Sequence, residues 1–144
     1  MLKGLNPLLG PDLLRILRAM GHGDEIAIVD GNYPADTDAK RLVRMDGNDA
    51  VEILDAILSV MPVDTFVPEA VFRPAVMGDV FRVEPVHTAF ADVLKKHEPK
   101  QHITPLIGAA FYDRVKAAYA IVASGEARLY GNIVVKKGVI FPKG

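Results

Sequence analysis

The stretch from Gly21 to Asp30 constrains the fold most, because a helical pattern stops there and a strand pattern begins. Upstream, Pro11 suits the first position of a helix, and apolar residues recur at helical spacing as far as Met20. Gly21 is the expected end of that helix, in a left-handed conformation that costs glycine little. The run Glu25–Asp30 is then predicted to be a mostly buried strand.

The same alternation of short helices and strands continues along the chain, with no internal repeat and no linker. Pro74 falls within a predicted strand at 69–76 and indicates that this strand lies partly at an edge or bulge. Further helices are predicted at 50–60, 85–97 and 109–117, and further strands at 42–45, 69–76, 103–107, 119–123 and 130–135. We therefore predict one α/β domain over residues 1–144, a three-layer α/β/α sandwich around a mostly parallel, mixed sheet.

Composition excludes several classes of function. A net charge of −1 gives no electrostatic reason to expect nucleic acid or an anionic membrane as a partner. The chain has no cysteine, and its four histidines lack the spacing of zinc ligands, so we expect no metal site. No apolar run approaches the roughly 20 residues that span a bilayer, and no secretion signal is recognisable at the start. We expect a cytoplasmic protein.

His22 is the first candidate for chemistry, because it stands between two glycines at the helix–strand junction. An imidazole titrates near neutral pH and suits proton transfer. The alternative is structural, since a histidine beside a helix C-terminus can hydrogen-bond free carbonyls. Asp24 or Glu25 could orient its ring. Asp30, at the end of the same predicted strand, offers a carboxylate that can accept hydrogen bonds from hydroxyls.

The tripeptide Tyr130-Gly131-Asn132 is the second candidate. If it begins a strand, its phenol and carboxamide point to one side, where they could bind sugar oxygens. The same residues also suit a simple turn before a strand. The chain contains neither a Gly-x-Gly-x-x-Gly phosphate loop nor a Gly-x-Ser-x-Gly nucleophile motif.

Several motifs in register resemble the ribose pyranase / fucose mutarotase family, and its fucose branch more closely. They cover nearly the whole chain in the same order: Gly21-His22-Gly23-Asp24-Glu25, Arg44-Met45-Asp46-Gly47, Phe111-Tyr112-Asp113-Arg114, Gly125-Glu126 and Tyr130-Gly131-Asn132-Ile133-Val134-Val135-Lys136-Lys137-Gly138. Each motif is moderately specific, and their common register identifies the chain as a member.

The resemblance implies an isomerase that interconverts cyclic forms of a reducing monosaccharide, most simply L-fucose or a related aldose, without a metal or organic cofactor. It implies that His22 is the proton donor, that Asp30 and Tyr130 to Asn132 bind the sugar, and that subunits form a decameric ring with sites between neighbours. The family usually has an arginine or histidine where this chain has Gly108, a further substrate-binding position. D-ribose pyranase activity and a non-catalytic sugar-binding or transport-associated module remain the alternatives.

A mechanism follows from the chemistry of ring opening, in which the ring oxygen gains a proton while the anomeric hydroxyl loses one. Our hypothesis is that His22 protonates the ring oxygen. Tyr130 or a bound water would accept the other proton, although a phenol with a pKa near 10 is a poor base without help. Asp30 and Asn132 would hold ring hydroxyls.

Overall fold

Five helices alternate with six strands in the computed structural model, which describes residues 1–144. In chain order the elements are α1 (Pro11–Ala19), β1 (Glu25–Val29), α2 (Ala35–Asp38), β2 (Leu42–Met45), α3 (Ala50–Leu58), β3 (Val71–Pro74), α4 (Pro85–His97), β4 (Thr104–Leu106), α5 (Ala109–Ala117), β5 (Ala120–Ser124) and β6 (Ile133–Lys136). The longest helix has 13 residues, and none combines the length and apolar character needed to cross a membrane.

All six strands form one sheet in the order β2-β5-β1-β6-β3-β4. Only β6 is reversed: it pairs antiparallel with β1 and β3, and every other pairing is parallel. The predicted mostly parallel, mixed sheet is confirmed. The five parallel strands end along one side of the sheet, which we call the carboxyl edge, and begin along the other, the amino edge. Strand β6 alone begins at the carboxyl edge.

Both faces of the sheet are covered, as the three-layer prediction requires. Along β1, Ile26 and Ile28 face one apolar core while Ala27 and Val29 face the other. Successive strand residues point to opposite faces, so a strand that is apolar throughout needs a layer on each side. The first core is closed by α1, α3 and α4, and the second by α2 and α5.

The end of α1 differs from the prediction. Met20 follows the helix in an extended conformation, and the left-handed glycine is Gly23 rather than Gly21. The reason lies far along the chain: Nζ of Lys137 donates hydrogen bonds to the carbonyl oxygens of Leu17 (2.7 Å) and Met20 (2.6 Å). The free carbonyls of the helix are satisfied by this side chain, so a left-handed cap at Gly21 is not required.

Two other local predictions can be compared with the structure. Pro74 lies in β3, but β3 pairs with β6 only through Val71 and Phe72, so the proline stands beyond that pairing, as expected of a strand residue without an N–H. The single-turn helix α2 was not among the predicted helices, because periodicity over so few residues could not indicate it.

Candidate functional site

Asp30 and Asn132 form a reciprocal pair at the carboxyl edge. The backbone N–H of Asp30 donates to Oδ1 of Asn132 (2.7 Å), and Nδ2 of Asn132 donates to Oδ2 of Asp30 (3.1 Å). The backbone N–H of Asn32 donates to the other carboxylate oxygen of Asp30 (2.9 Å). Only 8% of Asp30 and 7% of Asn132 is exposed, so this pair is held rigidly. The carboxylate keeps unused lone pairs, and the amide keeps one N–H, for a ligand.

Tyr130 precedes Asn132 by two residues, but it does not lie on a strand. Strand β6 begins only at Ile133, and Tyr130 has a positive φ of 61°, which among the non-glycine residues it shares only with Met77. The prediction that the phenol and the carboxamide share one face of a strand is therefore wrong. The turn interpretation is correct. Tyr130 borders a cavity of about 440 Å³ whose other walls include Val76, Arg82 and Leu129.

Gly131 is required by the packing of this turn. A Cβ atom there would lie 2.7 Å from Cγ of Glu126 and 3.0 Å from the carbonyl oxygen of Arg128. The buried Glu126 carboxylate accepts hydrogen bonds from the guanidinium of Arg128 at 2.9 and 3.0 Å. Burial raises the pKa of Glu126, but the hydrogen bonds from Arg128 outweigh it and leave that pKa below its usual value. An ionised carboxylate thus anchors the turn that carries Tyr130.

Gly108 lies at the same edge, between β4 and α5. Its backbone has φ +50° and ψ −122°, a conformation that residues with a side chain rarely adopt, and no atom lies within 4 Å of where a Cβ would be. The position therefore offers open space and no side-chain hydrogen-bond donor. The backbone conformation supplies a local reason for glycine here.

His22 is not brought together with this group. It precedes β1 whereas Asp30 follows it, and the five residues of β1 at ~3.3 Å each span roughly 17 Å. A monosaccharide is much shorter than that. Within one chain, the carboxyl edge carries Asp30, Gly108, Tyr130, Gly131 and Asn132, although β6 and β3 lie between the strands that precede Asp30 and Gly108. The amino edge carries His22 alone among the predicted site residues.

The partner of His22 is Asp64, which the sequence did not indicate. Nε2 of the imidazole lies 3.0 Å from Oδ1 of Asp64; the histidine side chain is 44% exposed and the aspartate side chain 3%. His22 does not cap the helix, because Lys137 binds the carbonyl oxygens at its end. Neither Asp24 nor Glu25 orients the imidazole: Asp24 accepts from the N–H of Gly21 (2.8 Å), and Glu25 binds Arg114 (3.0 Å). The two partners are 42 residues apart, and no local pattern joins them.

The surroundings of Asp64 keep it ionised. Burial raises its pKa, but hydrogen bonds from the N–H of Phe66 and from His22 more than offset this, so the pKa of Asp64 lies below its usual value. A carboxylate only accepts, so Nε2 carries the hydrogen and Nδ1 is the ring atom left for other partners. The ring of Phe66 lies 5.0 Å from the imidazole and limits its movement.

Together these features describe an α/β protein with a rigid polar group at the carboxyl edge of its sheet, where such proteins bind small ligands. The chain belongs to the RbsD / FucU transport protein family, whose model matches residues 3–140. The resemblance inferred from the motifs is confirmed.

Individual relatives agree with the fucose branch. Over 147 residues the chain is 39% identical to the fucose mutarotase of Danio rerio, covering 99% of this chain and 96% of that protein. It superposes with a TM-score of 0.90 and 42% identity on the fucose mutarotase of Streptococcus pneumoniae in complex with L-fucose, covering 97% and 100% of the two chains. On RbsD of Bacillus subtilis complexed with D-ribose the chain superposes with a TM-score of 0.72 and 25% identity, and the match covers 98% of this chain and 100% of that one.

The contact between His22 and Asp64 predicts a pH dependence of stability. Because the pKa of Asp64 is lowered by folding, its carboxylate stabilises the protein above the unfolded pKa near 4, and this contribution is lost as the pH falls through that value to the folded pKa. The free energy of unfolding, measured by urea titration between about pH 6 and pH 3, should therefore decrease less in Asp64→Asn than in the wild type. Asp113→Asn, at an exposed position of α5, is the control and should follow the wild type. Parallel curves for Asp64→Asn and the wild type would contradict the assignment.

Proposed function

We propose that residues 1–144 act as one cofactor-free monosaccharide mutarotase, an isomerase that interconverts anomers or ring forms of a reducing sugar. The sugar is L-fucose or a related aldose. The rigid pair of Asp30 and Asn132 beside Tyr130 supports this proposal most strongly, because it presents fixed acceptors and a fixed donor to a polyhydroxylated ligand. Full-length similarity to two fucose mutarotases supports the choice of sugar.

Asp30 and Asn132 bind the sugar in this proposal. The Asn132 amide has a fixed orientation, since Oδ1 accepts from a backbone N–H and Nδ2 donates to a carboxylate. Its second N–H and the free lone pairs of Asp30 take hydroxyls of matching stereochemistry. A sugar of the wrong configuration leaves these buried groups unpaired, which costs binding energy and gives selectivity.

His22 transfers the proton. Asp64 occupies Nε2, so Nδ1 of the imidazolium donates to the ring oxygen as the ring opens and recovers the proton as it closes. Tyr130 orients the anomeric hydroxyl. The proton of that hydroxyl passes to a bound water, either directly or through the phenol, which releases its own proton to the water as it accepts the new one. Positioned acid–base groups typically accelerate such a step by about 10² to 10⁴.

The separation of His22 from Asp30 has a direct consequence for assembly. A sugar held at the carboxyl edge of one chain can meet His22 only if the amino edge of a second chain lies against it. Such a contact joins two different surfaces, head to tail, and closes into a ring when the rotation permits. We therefore include the homo-oligomer, as a decameric ring with sites between neighbours, in the proposal.

The second candidate is a sugar-binding or transport-associated module without turnover. Gly108 favours it, because a position that usually carries a cationic side chain in this family supplies no donor in this chain. D-ribose pyranase activity is the less favoured catalytic alternative, since similarity to RbsD is lower than similarity to the fucose mutarotases. A cytoplasmic location also belongs to the proposal, and fractionation of expressing cells tests it.

Saturation-transfer NMR on L-fucose, D-ribose and related aldoses tests the activity directly. We expect the wild-type protein to accelerate exchange between anomers of L-fucose most. His22→Ala should slow that exchange by about 10² to 10⁴. The variant should remain folded and assembled, as judged by circular dichroism and sedimentation. Binding without accelerated exchange in the wild type would favour the non-catalytic module.

Complementation between two inactive variants tests the shared site. His22→Ala retains an intact carboxyl edge, and Asn132→Ala retains an intact His22, so each is expected to be inactive alone. Co-expressed with different affinity tags, they should form mixed assemblies in which about a quarter of the sites combine two intact halves if pairing is random. Exchange measured by NMR should recover accordingly.

The matched control for complementation replaces Asn132→Ala by the double variant His22→Ala/Asn132→Ala, which can restore no site. No recovery in the genuine mixture, although purification through both affinity tags yields mixed assemblies, would show that His22 and Asn132 do not share a site between chains. A clean monomer at micromolar concentration would exclude the shared site altogether.

Gly108 can be tested with a pair of variants that share the same backbone cost. Both Gly108→Ala and Gly108→Arg place a side chain at φ +50° and ψ −122°, a sparsely populated backbone conformation that costs about 1–3 kcal/mol. Only the arginine adds a charged donor, so it should bind L-fucose more tightly than the alanine variant by about tenfold or more. Calorimetric titration measures the difference. Equal affinities for the two variants would show that position 108 lies away from the sugar.

A further inference from the structure

His87 is a buried histidine that the proposed mechanism does not use. It lies in the first turn of α4, is 2% exposed, and makes two hydrogen bonds. Nδ1 accepts from the backbone N–H of Glu84 (3.2 Å), and Nε2 lies 2.9 Å from the carbonyl oxygen of Tyr130. A backbone N–H only donates and a carbonyl only accepts, so the ring is the neutral tautomer with its hydrogen on Nε2.

The carbonyl that His87 holds belongs to the strained residue of the turn. Tyr130 has a positive φ of 61°, and a bulky residue keeps such a conformation only where its surroundings determine it. One restraint comes from the other side of the turn, where Gly131 is packed against Glu126. The hydrogen bond from His87 is the restraint on Tyr130 itself.

The environment of His87 matches this role. Burial lowers the pKa of His87 below its usual value. The hydrogen bond to the Tyr130 carbonyl opposes this shift, the charge of Arg73 adds to it, and the charge of Glu84 opposes it. The ring of Phe90 lies 6.5 Å from the imidazole. A neutral imidazole keeps one donor and one acceptor, which is what the two contacts require.

We propose that His87 is a positioning residue: its Nε2–H holds the Tyr130 carbonyl, keeps the left-handed turn, and so directs the phenol toward the sugar. This inference rests on the proposed function, in which Tyr130 contacts the ligand. The competing explanation is that His87 only caps α4. A cap needs Nδ1 alone, whereas the Nε2 contact reaches a residue 43 positions away.

Two conservative variants separate the two roles of the imidazole. In His87→Gln, the terminal amide reaches as far as Nε2 and can still donate to Tyr130, but the acceptor at the Nδ1 position is lost. In His87→Asn, the shorter side chain keeps an acceptor near Glu84 but cannot reach Tyr130. Both should lose some stability in urea, so unfolding alone does not distinguish them.

Sugar kinetics do distinguish them. By NMR exchange on L-fucose, His87→Asn should raise KM or lower kcat by about twofold to tenfold, the equivalent of one lost neutral hydrogen bond, while His87→Gln stays close to the wild type. Equal kinetics for the two variants, or a larger defect in His87→Gln, would overturn the positioning role in favour of the cap.

A structural readout keeps the inference separate from the proposed activity. In crystal structures of the unliganded variants, Tyr130 should leave its positive φ in His87→Asn and retain it in His87→Gln. If Tyr130 moves as expected but the wild type accelerates exchange of no sugar, the proposed function fails and the restraint on the turn stands. If Tyr130 keeps its conformation in both variants, the inference fails whatever the activity.

Discussion

The pairing of β6 between β1 and β3 is the constraint on which both halves of the site depend. Because β6 alone runs in the reverse direction, its first end lies at the carboxyl edge and places Asn132 beside Asp30. Its other end lies at the amino edge, where the side chain of Lys137 binds a carbonyl oxygen at the end of α1. The backbone of Lys137 forms an antiparallel bridge with Val63, the neighbour of Asp64. A single reversed strand thus positions both the pair of Asp30 and Asn132, which we propose to bind the sugar, and the partner of His22.

The layered fold could be predicted because its signals are local. Alternate residues of β1 and β5 face two separate cores, and a strand that is apolar on both faces indicates a helical layer on each side of the sheet. Asp30 and Asn132 could be selected for the same reason: their chemistry is evident from residue type, Asp30 ends one predicted strand, and Asn132 lies near the start of another. His22 could be selected by its glycines, although its orientation could not.

What the sequence did not reveal depends on contacts between distant residues. Asp64, Lys137 and His87 become meaningful only when the direction of β6 and the path of the turn before it are known. The left-handed cap expected at Gly21 fails because a lysine more than a hundred positions away satisfies the helix carbonyls. Tyr130 was expected on a strand because Gly and Asn suit both a turn and a strand entrance.

The position of His22 at one end of β1 and Asp30 at the other has a consequence for counting. If the halves meet between chains, an open row of subunits always has one unmatched half at each end, whatever its length. A pair of subunits joined head to tail by one such contact would complete one centre and leave two half-centres idle. Only a closed circle makes the number of complete centres equal to the number of chains, so closure itself determines the specific activity per mass of protein.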